Sequence, residues 1–97
     1  YTLIFRMKEM IVCKDVAKEK LGVRIPAHPF TKILQESGRP FVTTSANVTG
    51  DTPVWSPEGI PKDIEEKVDV IIDEGIIRNP ASRVIDLTGS IPRILRE

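Results

Sequence analysis

Arg39-Pro40-Phe41-Val42-Thr43-Thr44-Ser45-Ala46-Asn47-Val48-Thr49-Gly50 is the stretch on which the reading of the fold turns. Phe41 to Thr44 is short, largely apolar and β-branched, and it reads as a buried strand. The residues after it carry hydroxyl or amide groups and run into a glycine. Open α/β sheets place their ligands at the C-terminal ends of strands. Thr43, Thr44, Ser45 and Asn47 would offer several uncharged hydrogen-bonding groups there. The plainer reading of the same residues is a strand end closed by an Asx- or hydroxyl-capped turn, and the stretch alone supports both.

Upstream of it, His28-Pro29-Phe30 starts a helix. Pro29 suits the first helical position, where a missing N–H costs nothing. Phe30, Ile33, Leu34 and Ser37 share one helical face, Gly38 suits the left-handed C′ position, and Pro40 prevents continuation. Before the helix, Leu21 to Ile25 reads as a strand stopped by Pro26. Gly22 within it suggests close approach by a ligand or a neighbour. Thr2 to Arg6 is another strand, and the charged residues from Lys14 to Lys20 amount to a turn.

Downstream, Ser56-Pro57-Glu58 is a helix-start signature, with a restart at Pro61 that carries Lys62 to Lys67. Ile60, Ile64 and Val68 would face the core. Val70-Ile71-Ile72 reads as a buried strand, turned by Asp73-Glu74-Gly75. Val84 to Leu87 and Ile91 to Leu95, joined through Thr88-Gly89-Ser90, form a terminal hairpin. The resulting order, β-β-α-β-α-β-β-β, predicts an α/β fold: a twisted, open, mixed sheet flanked by helices.

The 97 residues suffice for one domain, residues 1–97, and not for two. Acidic and basic residues balance at 14 each, which removes any global electrostatic case for nucleic acid or membrane binding and leaves room for a local basic patch. No apolar run reaches membrane-span length and no secretory pattern is present. A single cysteine cannot build a disulfide framework, which favours a reducing compartment and a cytoplasmic location. Cys13 itself reads as a small buried hydrophobe. The chain opens inside a strand at Tyr1, which suggests a piece of something longer.

Several chemistries are missing from the sequence. There is no glycine-rich phosphate loop, Ser45 lacks the context of a nucleophile elbow, and one histidine with one cysteine cannot build a zinc site. No catalytic side chain and no metal ligand is therefore assigned. Three features remain. The hydroxyl and amide cluster is one. Arg24, which interrupts an apolar strand, is the second: it is either a solvent-facing arginine or a fork for a carboxylate or phosphate. The third is the tail, with Ser82 before a strand and Arg93 and Arg96 after it. Residues three apart on a regular strand point to opposite faces, so the two arginines would not share a ligand.

These features occur in a set order: Gly22-Val23-Arg24-Ile25-Pro26-Ala27-His28-Pro29, then Thr44-Ser45-Ala46-Asn47-Val48-Thr49-Gly50, then Val68 to Gly75, then Ser82-Arg83-Val84-Ile85-Asp86-Leu87, then Pro92-Arg93-Ile94-Leu95-Arg96. The ordered set resembles the YrdC-like family of threonylcarbamoyl-AMP synthases, and specifically the C-terminal part of that domain. Arg83 stands where the family usually has threonine, and Thr49 where serine is commoner. The family's N-terminal Lys-Arg motif has no counterpart, and residues from Met7 to Lys20 match poorly. The fold is thus expected to be incomplete at its N-terminus, with an open sheet edge that invites self-association.

The resemblance implies a reaction in which L-threonine, bicarbonate and ATP, with Mg2+, give threonylcarbamoyl-AMP and pyrophosphate in tRNA threonylcarbamoyladenosine modification. It implies that Arg24, Thr43 and Ser82 bind L-threonine, and that Ser45, Asn47 and Arg96 bind ATP. Other enzymes of that pathway would be partners. The alternatives are a module that binds tRNA or double-stranded RNA without catalysis, and a carbamoyl-transfer domain of the kind embedded in hydrogenase-maturation proteins. The 97 residues on their own are expected to be inactive.

Overall fold

A computed structural model describes all 97 residues. Four strands form one sheet: β1 (Thr2–Arg6), β2 (Lys20–Val23), β3 (Val84–Asp86) and β4 (Arg93–Arg96). Their order is β2-β1-β3-β4. β1 pairs antiparallel with β2 and parallel with β3, and β3 pairs antiparallel with β4. The sheet is therefore mixed and open, with β2 and β4 at its edges, and the chain is α/β. The terminal hairpin forms, but its second strand starts at Arg93, after Pro92, and six residues, 87–92, join the strands where a three-residue loop was expected.

Contacts divide the chain into two compact units, Tyr1–Val42 with Ala81–Glu97, and Thr43–Pro80. The first holds the sheet and α1 (Phe30–Glu36). Helix α1 begins as its sequence directs. His28 Nδ1 accepts a hydrogen bond from Phe30 N at 3.1 Å, and the Thr31 hydroxyl donates to the Pro26 carbonyl at 2.8 Å. Gly38 follows with φ 66°, the left-handed stop expected of a C′ glycine. No residue of α1 is buried, and α1 packs on none of the strands.

The second unit holds a 3-10 turn, Pro57–Gly59, and α2 (Lys62–Glu65), the interrupted start and restart that Gly59 and Pro61 imply. The Glu58 carboxylate lies below its ordinary range, held there by its own backbone N–H and the Ser56 hydroxyl. Gly75, φ 78°, closes a turn in which its N–H donates to Asp73 Oδ1 at 2.8 Å. Ile60 and Ile64 are half-buried and Val68 is exposed.

Two expected strands do not form. Phe41 to Thr44 and Val70 to Ile72 have no regular structure, and every one of these residues is exposed. Strand propensity is realised only where a neighbouring strand completes the ladder and covers the apolar face. Neither run has such a neighbour. The second strand also ends at Val23 rather than Ile25, which leaves Arg24 just outside the ladder.

Alternation splits the sheet into unlike faces. Leu3 and Phe5 of β1, Leu21 and Val23 of β2, Ile85 of β3 and Ile94 of β4 lie on one side by register. Thr2, Ile4 and Arg6, Lys20 and Gly22, Val84 and Asp86 lie on the other. Tyr1, Leu3, Phe5, Val23 and Ile25 line a groove of about 410 Å³ on the apolar side. No hydrophobic side chain is buried, and Asp86, 6% exposed, is the single buried residue. The chain exposes 8660 Å², against about 5600 Å² for a compact protein of 10.9 kDa. The shortfall in burial lies in apolar surface that has no cover. Cys13 accordingly is exposed, not buried as its neighbourhood suggested, and its thiol faces Asp15 Oδ2 at 3.7 Å.

Candidate functional site

In the sheet-bearing unit, Ser82 is the point on which other groups converge. It precedes β3 and is half-buried. Its hydroxyl lies 2.7 Å from the Thr2 hydroxyl. Arg96 donates from Nε and Nη2 to the Ser82 carbonyl at 2.9 and 2.7 Å, and from Nη2 to the Ser82 hydroxyl at 3.2 Å. The backbone adds a further tie, since Thr2 N donates to the Arg83 carbonyl at 2.7 Å. Two of the residues singled out by sequence, Ser82 and Arg96, are thus in direct contact. Thr2 was not among them; its only signal was its place in the strand that pairs with β3.

Arg93 and Arg96 do not point to opposite faces, because β4 is not a regular strand. The β3–β4 register shifts between Val84 and Ile85: Asp86 faces Arg93, Ile85 faces Ile94, and Val84 faces Arg96. One extra residue on β4 reverses the alternation, as a β-bulge does. Arg93 and Arg96 therefore share a face, the polar one, with Thr2, Lys20 and Asp86. Their partners differ. Arg93 Nη2 lies 3.7 Å from Asp86 Oδ2, as does Lys20 Nζ, whereas Arg96 holds Ser82.

Asp86 anchors the hairpin on this face. Its Oδ1 accepts from the Thr88 hydroxyl at 2.6 Å and from Thr88 N at 2.8 Å. These bonds, the hydroxyl one foremost, keep its carboxyl below the ordinary range against the opposing effect of burial, with lesser help from Lys20 and Arg93. Arg6 Nε reaches the Thr88 carbonyl at 3.4 Å. Arg24, exposed, follows β2 directly. Leu3 pairs with Val23, so continuing the ladder by one residue sets Arg24 opposite Thr2.

Gly22 explains its own presence. A Cβ there would stand 3.3 Å from Thr2 Cγ2, so the close approach inferred from the sequence is made by a neighbouring side chain.

In the second unit, Thr43, Thr44 and Ser45 are exposed in a segment without regular structure, and a turn follows. Asn47 is half-buried. Its Nδ2 donates to the carbonyls of Val48 and Asp51 at 2.9 and 3.1 Å. Two carbonyl acceptors fix the amide orientation, since only the NH2 end can serve both. Its Oδ1 is then buried with no hydrogen-bond partner. Gly50 closes the turn with φ 94°. The expected Asx-capped strand end is not formed: no strand precedes Asn47, and its amide N–H groups, not its oxygen, tie the turn, which leaves Oδ1 unused. Elsewhere in this unit the Arg78 guanidinium lies 5.2 Å from the centre of the Trp55 ring, and Ile77 N donates to the Trp55 carbonyl at 2.7 Å. The cation–π pair has no signal in the sequence, because Arg78 lies in an irregular segment.

A family model described as Telomere recombination, which groups the YrdC and YciO proteins, matches residues 1–97. The chain belongs to this YrdC-like family. It is 35% identical over 82 residues to YciO of Escherichia coli (strain K12), named as an uncharacterized protein, covering 82% of this chain and 40% of that one. It is 38% identical over 80 residues to the threonylcarbamoyl-AMP synthase of Pyrococcus abyssi (strain GE5 / Orsay), covering 80% of this chain and 24% of that protein. The chain thus spans well under half the length of either relative. No solved structure matches it significantly. No helix is long and apolar enough to cross a membrane.

Proposed function

We propose that this chain is the C-terminal part of a threonylcarbamoyl-AMP synthase domain, and that the full-length protein joins L-threonine, bicarbonate and ATP. The observation that carries this reading is Ser82. Its hydroxyl is half-buried and bracketed by Thr2 and Arg96, which is how a small polar group is held ready for a ligand. The similarity to the Pyrococcus abyssi enzyme supports it, and the similarity to YciO is comparable in extent without adding an activity.

The proposed chemistry needs positioning and charge stabilisation, not a protein nucleophile. The threonine amine and bicarbonate form a carbamate and release water. A carbamate oxygen bonds to the α-phosphorus of ATP while the bond from that phosphorus to the bridging oxygen breaks. Pyrophosphate leaves with the Mg2+ that arrived on the nucleotide. Arg24 would fork the threonine carboxylate, with the hydroxyls of Ser82 and Thr43 serving the same substrate. Arg96, Ser45 and Asn47 would serve the nucleotide. The 97 residues alone are proposed to be inactive, since they leave their apolar sheet face uncovered.

The test is pyrophosphate release by the full-length protein given ATP and bicarbonate, with and without threonine. Threonine-dependent release is expected. Arg24→Ala should raise the threonine KM roughly ten- to hundredfold, the loss of a charged hydrogen-bonded fork. Release that ignores threonine would overturn the reading.

A second reading is favoured by the bulge. It gathers Arg6, Lys20, Arg93 and Arg96 on one face with Asp86 as their counter-charge. That is a local basic patch in a chain of zero net charge, suited to the phosphates of tRNA or double-stranded RNA.

A further inference from the structure

We propose that Thr2 is a positioning residue for Ser82, oriented by the space over Gly22, and that it decides which way the Ser82 hydroxyl faces a bound amino-acid substrate. The proposal rests on the reading of Ser82 as a threonine-binding residue.

A hydroxyl has one proton to give and two lone pairs. Arg96 Nη2 occupies one lone pair of Ser82 Oγ from 3.2 Å. A proton and a lone pair are left. The Thr2 hydroxyl, 2.7 Å away, takes one of them. The substrate meets the other. With Thr2 in place the Ser82 hydroxyl has a single direction toward substrate; without it, the hydroxyl rotates between two.

Thr2 can do this only if its own rotamer is fixed. A threonine in a strand is stiff at χ1, and three things set its position. Its backbone N–H is bonded to the Arg83 carbonyl, one residue from Ser82. Its Cα faces Val84 in the β1–β3 ladder. Its methyl group lies over Gly22, where any side chain would intrude at 3.3 Å. Placing the methyl over the glycine leaves Oγ1 turned toward Ser82. The glycine of the Gly22-Val23-Arg24 segment thus shapes the serine on the other side of β1.

The experiment uses the full-length protein, with KM for threonine and for ATP and kcat measured separately. Thr2→Val keeps the branched shape and removes the hydroxyl. It should raise the threonine KM roughly three- to tenfold, the worth of one net hydrogen bond. The ATP KM should stay within about twofold, because Arg96 keeps its bonds to the Ser82 carbonyl. Thr2→Ser keeps the hydroxyl without the methyl that fixes it, and its threonine KM should fall between those of Thr2→Val and the wild type. Gly22→Ala should raise the threonine KM by pushing the Thr2 methyl off its rotamer, and Gly22→Ala with Thr2→Ser should bring it down to the value of Thr2→Ser alone, because the methyl that clashes is gone. A purely structural role would not give that rescue. Ser82→Ala is the control. If it raises the threonine KM while Thr2→Val does not, the positioning role alone is overturned. If Ser82→Ala itself leaves the threonine KM unchanged, the reading of Ser82 fails and the role of Thr2 fails with it.

Discussion

Arg96 closes on Ser82 through one edge of its guanidinium, with Nε and Nη2 on the serine carbonyl at 2.9 and 2.7 Å and Nη2 on the hydroxyl at 3.2 Å. A planar fork is needed to serve a carbonyl with two donors at once. Lysine has the charge but not the fork. Arg96→Lys is therefore expected to behave nearly as badly as Arg96→Ala, raising the nucleotide KM of the full-length protein roughly tenfold. Recovery of wild-type KM by lysine would show that Arg96 acts as a bare charge, and the contact with Ser82 would lose its functional meaning.

The pH dependence of stability should run through Asp86. Its folded pKa is depressed, chiefly by the hydroxyl and backbone N–H of Thr88. A depressed carboxyl stabilises the fold above its unfolded pKa, and that contribution is lost as pH falls through the folded value. The two ion pairs add little, being long and having exposed cations. Urea unfolding followed from neutral pH down through the carboxylate range, about pH 4 and below, should show the wild type losing stability. Asp86→Ala should start lower and lose less on acidification. Asp86→Asn, which keeps the Oδ1 acceptor for Thr88, should fall between them. Parallel pH profiles for wild type and Asp86→Ala would remove Asp86 as the source.

How far the sequence reached is clearest by comparing elements that close on themselves with those that need a neighbour. The Pro29 helix start, the Gly38 stop, the break at Gly59 and Pro61 and the Asp73–Gly75 turn are set by residues within a few positions of each other, and all are present. Val84 to Asp86 also found its hairpin partner, though across six residues, 87–92, and not three. Phe41 to Thr44 has the same composition as a strand, but pairing is long-range, and no strand lies beside it. The bulge in β4 was illegible because nothing in Arg93-Ile94-Leu95-Arg96 announces it; its effect, two arginines on one face, appears only in the register. Of the residues that meet around Ser82, Ser82 and Arg96 stand out in the sequence by their place in an ordered set of motifs. Thr2 was not, since a threonine in a β-branched run is normally just a strand residue.

RNA binding makes its own prediction. If the polar face meets phosphates, the affinity of the full-length protein for tRNA should fall linearly on a log–log plot against salt. Arg93→Ala should lower the slope by about one without changing sequence preference. Arg24→Ala should leave that binding intact while impairing threonine use. A salt-independent affinity, or loss of tRNA binding with Arg24→Ala, would count against a separate phosphate-binding face.

The uncovered side of the sheet sets the behaviour of the 97 residues in isolation. Leu3, Phe5, Val23 and Ile94 share a face, Ile25 beside it is 82% exposed, and no apolar side chain is buried anywhere. Apolar area in water costs about 25 cal/mol per Å², and chains do not leave such a continuous face wet when a second copy can cover it. Both sheet edges are also open, β2 and β4, and an open edge offers unpaired N–H and C=O groups to another strand. The isolated chain should therefore sediment larger than 10.9 kDa and bind a hydrophobic dye. Phe5→Lys with Val23→Lys should bring both signals down, because a charge on the face penalises its burial against another copy. The same pair should destabilise the full-length protein, where the face would be covered within one chain, by roughly 2–5 kcal/mol. A sharp, cooperative thermal transition from an isolated monomer would mean that the face does not need a partner, and the chain would then stand as a domain by itself.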